Sequence, residues 1–260
     1  MPVTRLTLLE GFGAQFDGEQ MPLWPSAQRV VAWLAVMHHG RRVHRLTAAE
    51  RLWPDSRPAR GASSLRSVLW RLPRPRGRTI VLSDAKDLWL APDVEVDLWE
   101  AEAMVRAICR PDTATPDPAA GHARDAGCAG YAGDADYAVL RGDLLPEWED
   151  QWLIGERESY RQKRLHALER AAAVLCEAGR FTDALDASLC AVQSEPLRET
   201  AHRRVIEVHL AEGNQAEALR QYDGYRRLLA EELGLPPSPH IRRLVAPLLG
   251  RPADLHADGL

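Results

Sequence analysis

RPARGASSLRSVLWRL, residues 57–72, decides how this chain is read. At helical spacing Leu65, Val68, Leu69 and Leu72 fall on one side, while Arg60, Ser63, Ser67, Trp70, Arg71 and Arg74 fall on the other, with Ser64 and Arg66 beside them. A buried helix has no use for that second face. Arginine neutralises phosphate and can donate a bidentate pair to guanine, and short serines let a helix backbone approach a groove wall. The stretch from Arg41 to Arg78 holds eleven arginines against two acidic residues, Glu50 and Asp55. The plain alternative is a solvated basic helix.

The neighbouring sequence supplies the other parts of a DNA-reading unit. Thr47 and Glu50 have capping-box spacing for a short helix through Leu52 and Trp53 that Pro54 stops, so helix, turn and helix follow in order. After Pro73 and Gly77, TIVLSDAKDLWLAP (79–92) reads as a β-hairpin, a wing with Lys86 at its tip placed to meet a phosphate. Upstream, RLTLLEGFGAQFDGEQMPL (5–23) reads as three short antiparallel strands broken by Gly11, Gly13 and Gly18. PSAQRVVAWLAVMHHG (25–40) reads as a helix with Val30, Leu34 and Met37 on its apolar stripe and Gly40 at its end; the adjacent His38 and His39 read as helix-end polar residues.

Charge separates the halves. Residues 1–90 carry fourteen Lys plus Arg against seven Asp plus Glu, net +7, and residues 91–260 carry nineteen against thirty, net −11. That asymmetry suggests nucleic acid for the first portion and protein partners for the second. A helix is expected from Val96 to Cys109, followed by a flexible insertion at about 111–135 of small, Pro, Gly and Asp residues. A long helix is expected over Trp152–Glu177 with Leu165, Leu168, Ala172 and Leu175 on its inner stripe. Gly179, Ala184 and Leu185 recur at Gly213, Ala218 and Leu219, 34 positions on, the tetratricopeptide period, with Phe181, Ala191 and Pro196 at the first copy's packing and turn offsets. The second copy keeps Tyr222 and diverges after it.

Several classes are disfavoured. The four cysteines show no CxxC and no histidine at metal-ligand spacing, so neither a disulfide framework nor a metal site is expected. No Walker loop, GxGxxG after a strand, HExxH or GxSxG occurs, and Asp134 and Asp136 sit in a Gly/Ala-rich stretch; no catalytic residue and no cofactor are expected. MPVTRLTLLE lacks a signal peptide's pattern, and no apolar run approaches the ~20 residues that span a bilayer. A cytoplasmic protein with no membrane contact is expected. Residues 1–25 are also too few for a phosphate-accepting receiver domain.

Five blocks in order, SSLRSVLWRL (63–72), DLWL (87–90), VDLWEAE (96–102), DLLPEWEDQWLIGERE (143–158) and EELGLPPSPHIRRL (231–244), resemble the Streptomyces antibiotic regulatory protein family. The resemblance covers nearly the whole chain outside the insertion. It implies an α+β winged helix-turn-helix of the response-regulator effector type over 1–92, an all-α tetratricopeptide-like bacterial transcriptional activation domain over 93–250, and a tail at 251–260. It also implies an activator of a secondary-metabolite (antibiotic) gene cluster in a bacterial cytoplasm, associated with the nucleoid. Such an activator binds promoter direct repeats in double-stranded DNA side by side as a homodimer and recruits RNA polymerase holoenzyme through its sigma factor and alpha or beta subunits. Pro73 departs from the family pattern, where a basic residue continues the helix; it ends the recognition helix at Leu72 and puts Arg74 and Arg76 in a loop. The expected DNA contacts are Arg60, Ser63, Ser64, Arg66, Ser67, Trp70, Arg71, Arg74, Arg78 and Lys86, with Arg66 and Arg71 reading bases. Trp70 either packs on the wing or a sugar-phosphate backbone, or folds over Pro73. The rival readings are a repeat scaffold whose basic part binds an acidic protein, and a regulator with a small ligand in its helical domain.

Overall fold

Alternation near the N-terminus becomes a sheet whose apolar side is closed. In the computed structural model, which describes residues 3–110 and 137–250, strand β1 (Thr4–Thr7) pairs antiparallel with β2 (Gly13–Phe16), and β2 with β3 (Glu19–Gln20). Leu6, Ala14 and Phe16 are buried, as period-two patterning requires. These are the three expected strands. The insertion at 111–135, with Cys128 and Asp134, and the tail at 251–260 lie outside the described residues.

The next element is helix α1 (Pro25–Trp33), which runs into a widened π turn at Leu34–His38 and ends where His39 and Gly40 take φ of 48° and 74°. The extra residue in that turn shifts the helical phase. Val30 through Val36 are all buried, whereas Met37, expected on the apolar stripe, is 38 % exposed. His38 packs its ring edge-on against Trp33 at 4.5 Å, and burial lowers its pKa.

Strand β4 (Val43–His44), too short to show in the sequence, leads directly into α2 (Arg45–Leu52). This helix starts two residues before the expected Thr47, capped by His44, whose Nδ1 accepts the Leu46 N–H at 3.4 Å. Helix α3 (Pro58–Arg71) begins with proline at its first position, where a missing N–H costs nothing. Gly61 lies at the α2–α3 crossing; a Cβ there would sit 3.4 Å from the Ala49 carbonyl oxygen and 3.7 Å from the Trp53 Cβ. The hairpin forms as expected from β5 (Val81–Ser83) and β6 (Asp87–Leu90), with Val81 opposite Leu90 and Ser83 opposite Leu88, and β4 completes a sheet ordered β4-β6-β5. Helix-turn-helix and wing together make the winged helix fold.

The chain does not part at residue 92. Strand β7 (Val94–Val96) runs parallel to β1, with Thr4 opposite Val94 and Leu6 opposite Val96, so Val96 belongs to a strand and the following helix α4 (Asp97–Cys109) starts one residue later than expected. At that junction the Asp97 carboxylate accepts the N–H groups of Leu8, Leu9 and Leu98 at 2.7–3.1 Å. Burial raises its pKa in spite of those donors. The 142–150 stretch also joins this unit: Leu145 N–H donates to Leu8 at 2.9 Å, and Arg29 holds Asp150 at 2.6 Å. The compact units are therefore Met1–Ala103 with Gly142–Arg161, and Met104–Arg141 with Gln162–Leu260.

The second unit is helical. The long helix α5 (Gln151–Glu177), which belongs to this unit from Gln162 on, buries Leu165, Leu168, Ala172 and Leu175 completely, the expected stripe. Helices α6 (Phe181–Ser194), α7 (Glu199–Glu212), α8 (Gln215–Leu233) and α9 (Pro239–Val245) follow, each packing on the next where they adjoin. The 34-residue recurrence has structural content: Gly179 and Gly213 have φ of 74° and 88° in the helix-ending turns, Ala184 and Ala218 are fully buried, and Leu185 and Leu219 are half-buried. Tyr222 joins Ile206, Tyr225, Leu229, Ile241 and Val245 in the core beneath α8.

Candidate nucleic-acid interface

Helix α3 divides as its sequence demands. Leu65, Val68 and Leu72 are buried and Leu69 half-buried, while Arg60, Ser63, Arg66, Ser67, Trp70 and Arg71 are exposed and Ser64 is half-buried. Ser67 donates to the Ser63 carbonyl at 3.1 Å, which leaves a smooth, small-residue strip between the arginines. Trp70 is 81 % exposed. It is packed neither on the wing nor over Pro73, so a large aromatic stands in water where only a partner could cover it. The helix stops at Arg71, and Leu72 turns to ψ 135°, one residue ahead of the proline.

Ion pairing sorts the arginines around this helix. Arg42 holds Asp84 at 3.1 Å, Arg76 holds Asp17 at 2.8 Å, and Arg78 holds Asp93 at 2.6 Å. Arg60, Arg66, Arg71 and Arg74 have no carboxylate partner among the described residues. Arg78, expected at DNA, is thus already engaged, and Arg74 lies in the loop as Pro73 implied. Three of the unpaired guanidiniums, those of Arg60, Arg66 and Arg71, stand on α3.

The wing tip is built by one aspartate. Asp84 Oδ1 accepts the N–H groups of Lys86 and Asp87 at 2.9 and 2.8 Å, while its own carbonyl accepts Arg45 Nη1 at 2.9 Å. The Asp87 and Lys86 N–H groups hold its carboxyl below the usual range. Arg42 lies over the Trp89 ring at 4.0 Å, bracing the same turn from the strand side. Lys86 is left exposed beyond this knot.

Two grooves flank α3. One, of about 420 Å³, is lined by Trp24, Ser26, Trp53, Arg60, Ser64 and Arg71 among others; the second, of about 430 Å³, lies between α3 and the wing, with His44, Arg45, Leu46, Arg66 and Lys86 on its walls. The expected site residues therefore separate: Arg66 and Lys86 come together on one flank, Arg60, Ser63, Ser64, Ser67 and Arg71 on the other. Trp24, Ser26, His44, Arg45 and Leu46 were not legible as site residues. The tryptophan before a helix-starting proline was the one available signal for the first pair. Among the described residues no group of three or more His, Cys, Asp or Glu is placed to hold a metal ion, and no helix is long and apolar enough to cross a membrane.

Residues 96–249 match the family described as Bacterial transcriptional activator domain. The chain is similar to the regulatory protein AfsR of Streptomyces coelicolor, 27 % identical over 238 residues that cover 88 % of this chain and 22 % of that protein. It is 24 % identical over 276 residues to AfsR of Streptomyces griseus, covering 96 % and 26 %. The chain thus spans about a quarter of the length of these curated relatives. Its fold is similar to that of Mycobacterium tuberculosis EmbR, solved in complex with a low affinity phosphopeptide, with a TM-score of 0.66, 21 % identity, and coverage of 97 % of this chain and 66 % of that one.

Proposed function

Because this chain belongs to the bacterial transcriptional activator domain family, we propose that it is a sequence-specific DNA-binding activator that places α3 in the major groove of a promoter. The observation that carries this reading is the set of arginines on α3 with no carboxylate partner among the described residues, beside an exposed tryptophan and a serine strip. Arg66 reads base edges and Lys86 meets a backbone phosphate from the wing. Two copies sit side by side on direct repeats, and the acidic helical unit, which we read as tetratricopeptide-like, helps recruit RNA polymerase holoenzyme through its sigma factor and alpha or beta subunits. The controlled genes are those of a secondary-metabolite (antibiotic) cluster. The protein works in the bacterial cytoplasm on the nucleoid.

The test is a footprint of the purified protein on the promoter region next to its own gene, repeated at several salt concentrations. Protection of two equally oriented repeats, lost as salt rises, is the expected result. Uniform coverage of any duplex at every salt concentration overturns the sequence-specific reading. Adding purified polymerase to the same template then measures activation directly.

A further inference from the structure

The Trp24-side groove sets Arg60, Ser63, Ser64, Ser67 and Arg71 of the expected helix face against Trp24, Ser26 and Trp53, which that face did not include. We infer that it is a clamp for one backbone phosphodiester of the DNA, with Arg71 as the anionic group's partner and not a reader of bases; this rests on the DNA-binding reading above. Arg71 lies over the Trp24 indole at 5.1 Å, so its guanidinium is drawn back from the crest of α3 onto the groove wall. Arg60 stands on the same wall, and neither arginine has a carboxylate partner among the described residues. Among the described residues no aspartate or glutamate lines the groove. Ser26, at the start of α1, and Ser64, half-buried on α3, add hydroxyl donors from two different helices. Two guanidiniums, hydroxyls and flat indole walls match a phosphate with its deoxyribose, donors for the anionic oxygens beside apolar surface for the sugar.

The two flanks then divide the labour. Arg66, on the wing side with Lys86, lies over no aromatic ring among the described residues and is exposed toward a base edge. Arg71 fixes the helix against one strand. A side chain that neutralises a phosphate contributes to all sequences alike and to the salt dependence; one that reads a base contributes to discrimination.

The experiment compares the full-length protein with Arg71→Ala, Arg71→Lys, Ser26→Ala and Trp24→Leu on a specific and a random duplex, by anisotropy across a salt series. Arg71→Ala is expected to weaken both duplexes by the same factor and to lower the salt slope by about one, so that its deficit shrinks about 3.5-fold between 50 and 200 mM salt. Arg71→Lys keeps the slope. Phosphate ethylation should interfere with wild-type binding at one position per half-site that ceases to matter in Arg71→Ala. Ser26→Ala is a mild surface change that should weaken the same phosphate contact, which keeps the test open if Trp24→Leu does not fold. An altered base preference in Arg71→Ala with an unchanged slope overturns the clamp. Wild-type protein without sequence preference on any duplex would instead overturn the DNA-reading function itself.

Discussion

Arginine is used in opposite ways on α3 and in the helical unit. In the helical unit Arg180 pairs with Asp183, Arg204 with Glu207, Arg220 with Glu217 and Arg226 with Asp223, all one helical turn apart. Arg198 reaches further, to hold Glu169 of α5 from the turn before α7 with bonds of 2.6 and 3.2 Å. These charges are satisfied within the fold. On α3, the guanidiniums of Arg60, Arg66 and Arg71 and the Trp70 indole face solvent with no acid among the described residues to meet them. A charge paired inside the molecule serves folding, and a charge left unpaired is kept for something outside it. Replacing one arginine in each place should therefore change different observables.

The largest effect lies beneath the contrast, in the scaffold that presents α3. Asp97→Ala leaves the N–H groups of Leu8, Leu9 and Leu98 without their shared acceptor and should cost about 3 kcal/mol in denaturant unfolding of the first unit. A fragment ending at Pro92 lacks both this residue and β7, and should lose cooperative melting along with DNA binding. A well-folded 1–92 fragment would show that β1 needs no parallel partner.

Next in size, Arg198→Ala should destabilise the helical unit by ~2 kcal/mol and leave the affinity for DNA of the folded protein unchanged, because it strands a half-buried Glu169. Burial alone would raise the Glu169 pKa. Hydrogen bonds from Arg198 and Thr200, with the charges of Arg198 and His166, outweigh it and hold the pKa below 4.5. The stability from this group is therefore present above pH 4.5 and lost as pH falls through the lowered value. Glu169→Gln should flatten that acid limb of the melting curve; an unchanged limb would assign it to other carboxylates.

Arg66→Ala should do the reverse, reducing discrimination between specific and random DNA by ~1–3 kcal/mol with no loss of melting temperature. A fall in melting temperature would mean that α3 arginines serve the fold after all. Lys86→Ala is expected to weaken every sequence about alike and lower the salt slope by about one. The smallest effect is Arg220→Ala: its pair with Glu217 is well exposed, and thermal melts should move by less than ~0.5 kcal/mol. A larger shift there would erase the distinction between surface pairs and the Arg198 bridge.

Sequence patterning disclosed the elements that repeat a period long enough to see. The α3 face, the 79–92 hairpin, the three N-terminal strands and the Leu165–Leu175 stripe all run over several turns or alternations. What stayed hidden is short or non-local. Strands β4 and β7 span two and three residues, and β7 is defined by pairing with residues 90 positions earlier. Met37 left its stripe because one widened turn shifted the phase, which a 3.6-residue period cannot anticipate. At the interface, side-chain types were readable but their allegiance was not. Arg71 and Arg78 look alike in the chain, and only the positions of Trp24 and Asp93 tell them apart.

The turn tied by Asp84 bears on the heat of association. Its acceptor bonds to Lys86 and Asp87, with Arg45 and Arg42 fastened to it, already fix the wing tip in the unbound molecule. Docking on a duplex then freezes little backbone there, and calorimetry should find a heat-capacity change scaled to the surface covered, without the larger excess that accompanies a loop folding as it binds. Asp84→Ala would untie the turn, and the same titration would acquire that excess together with a steeper entropic penalty.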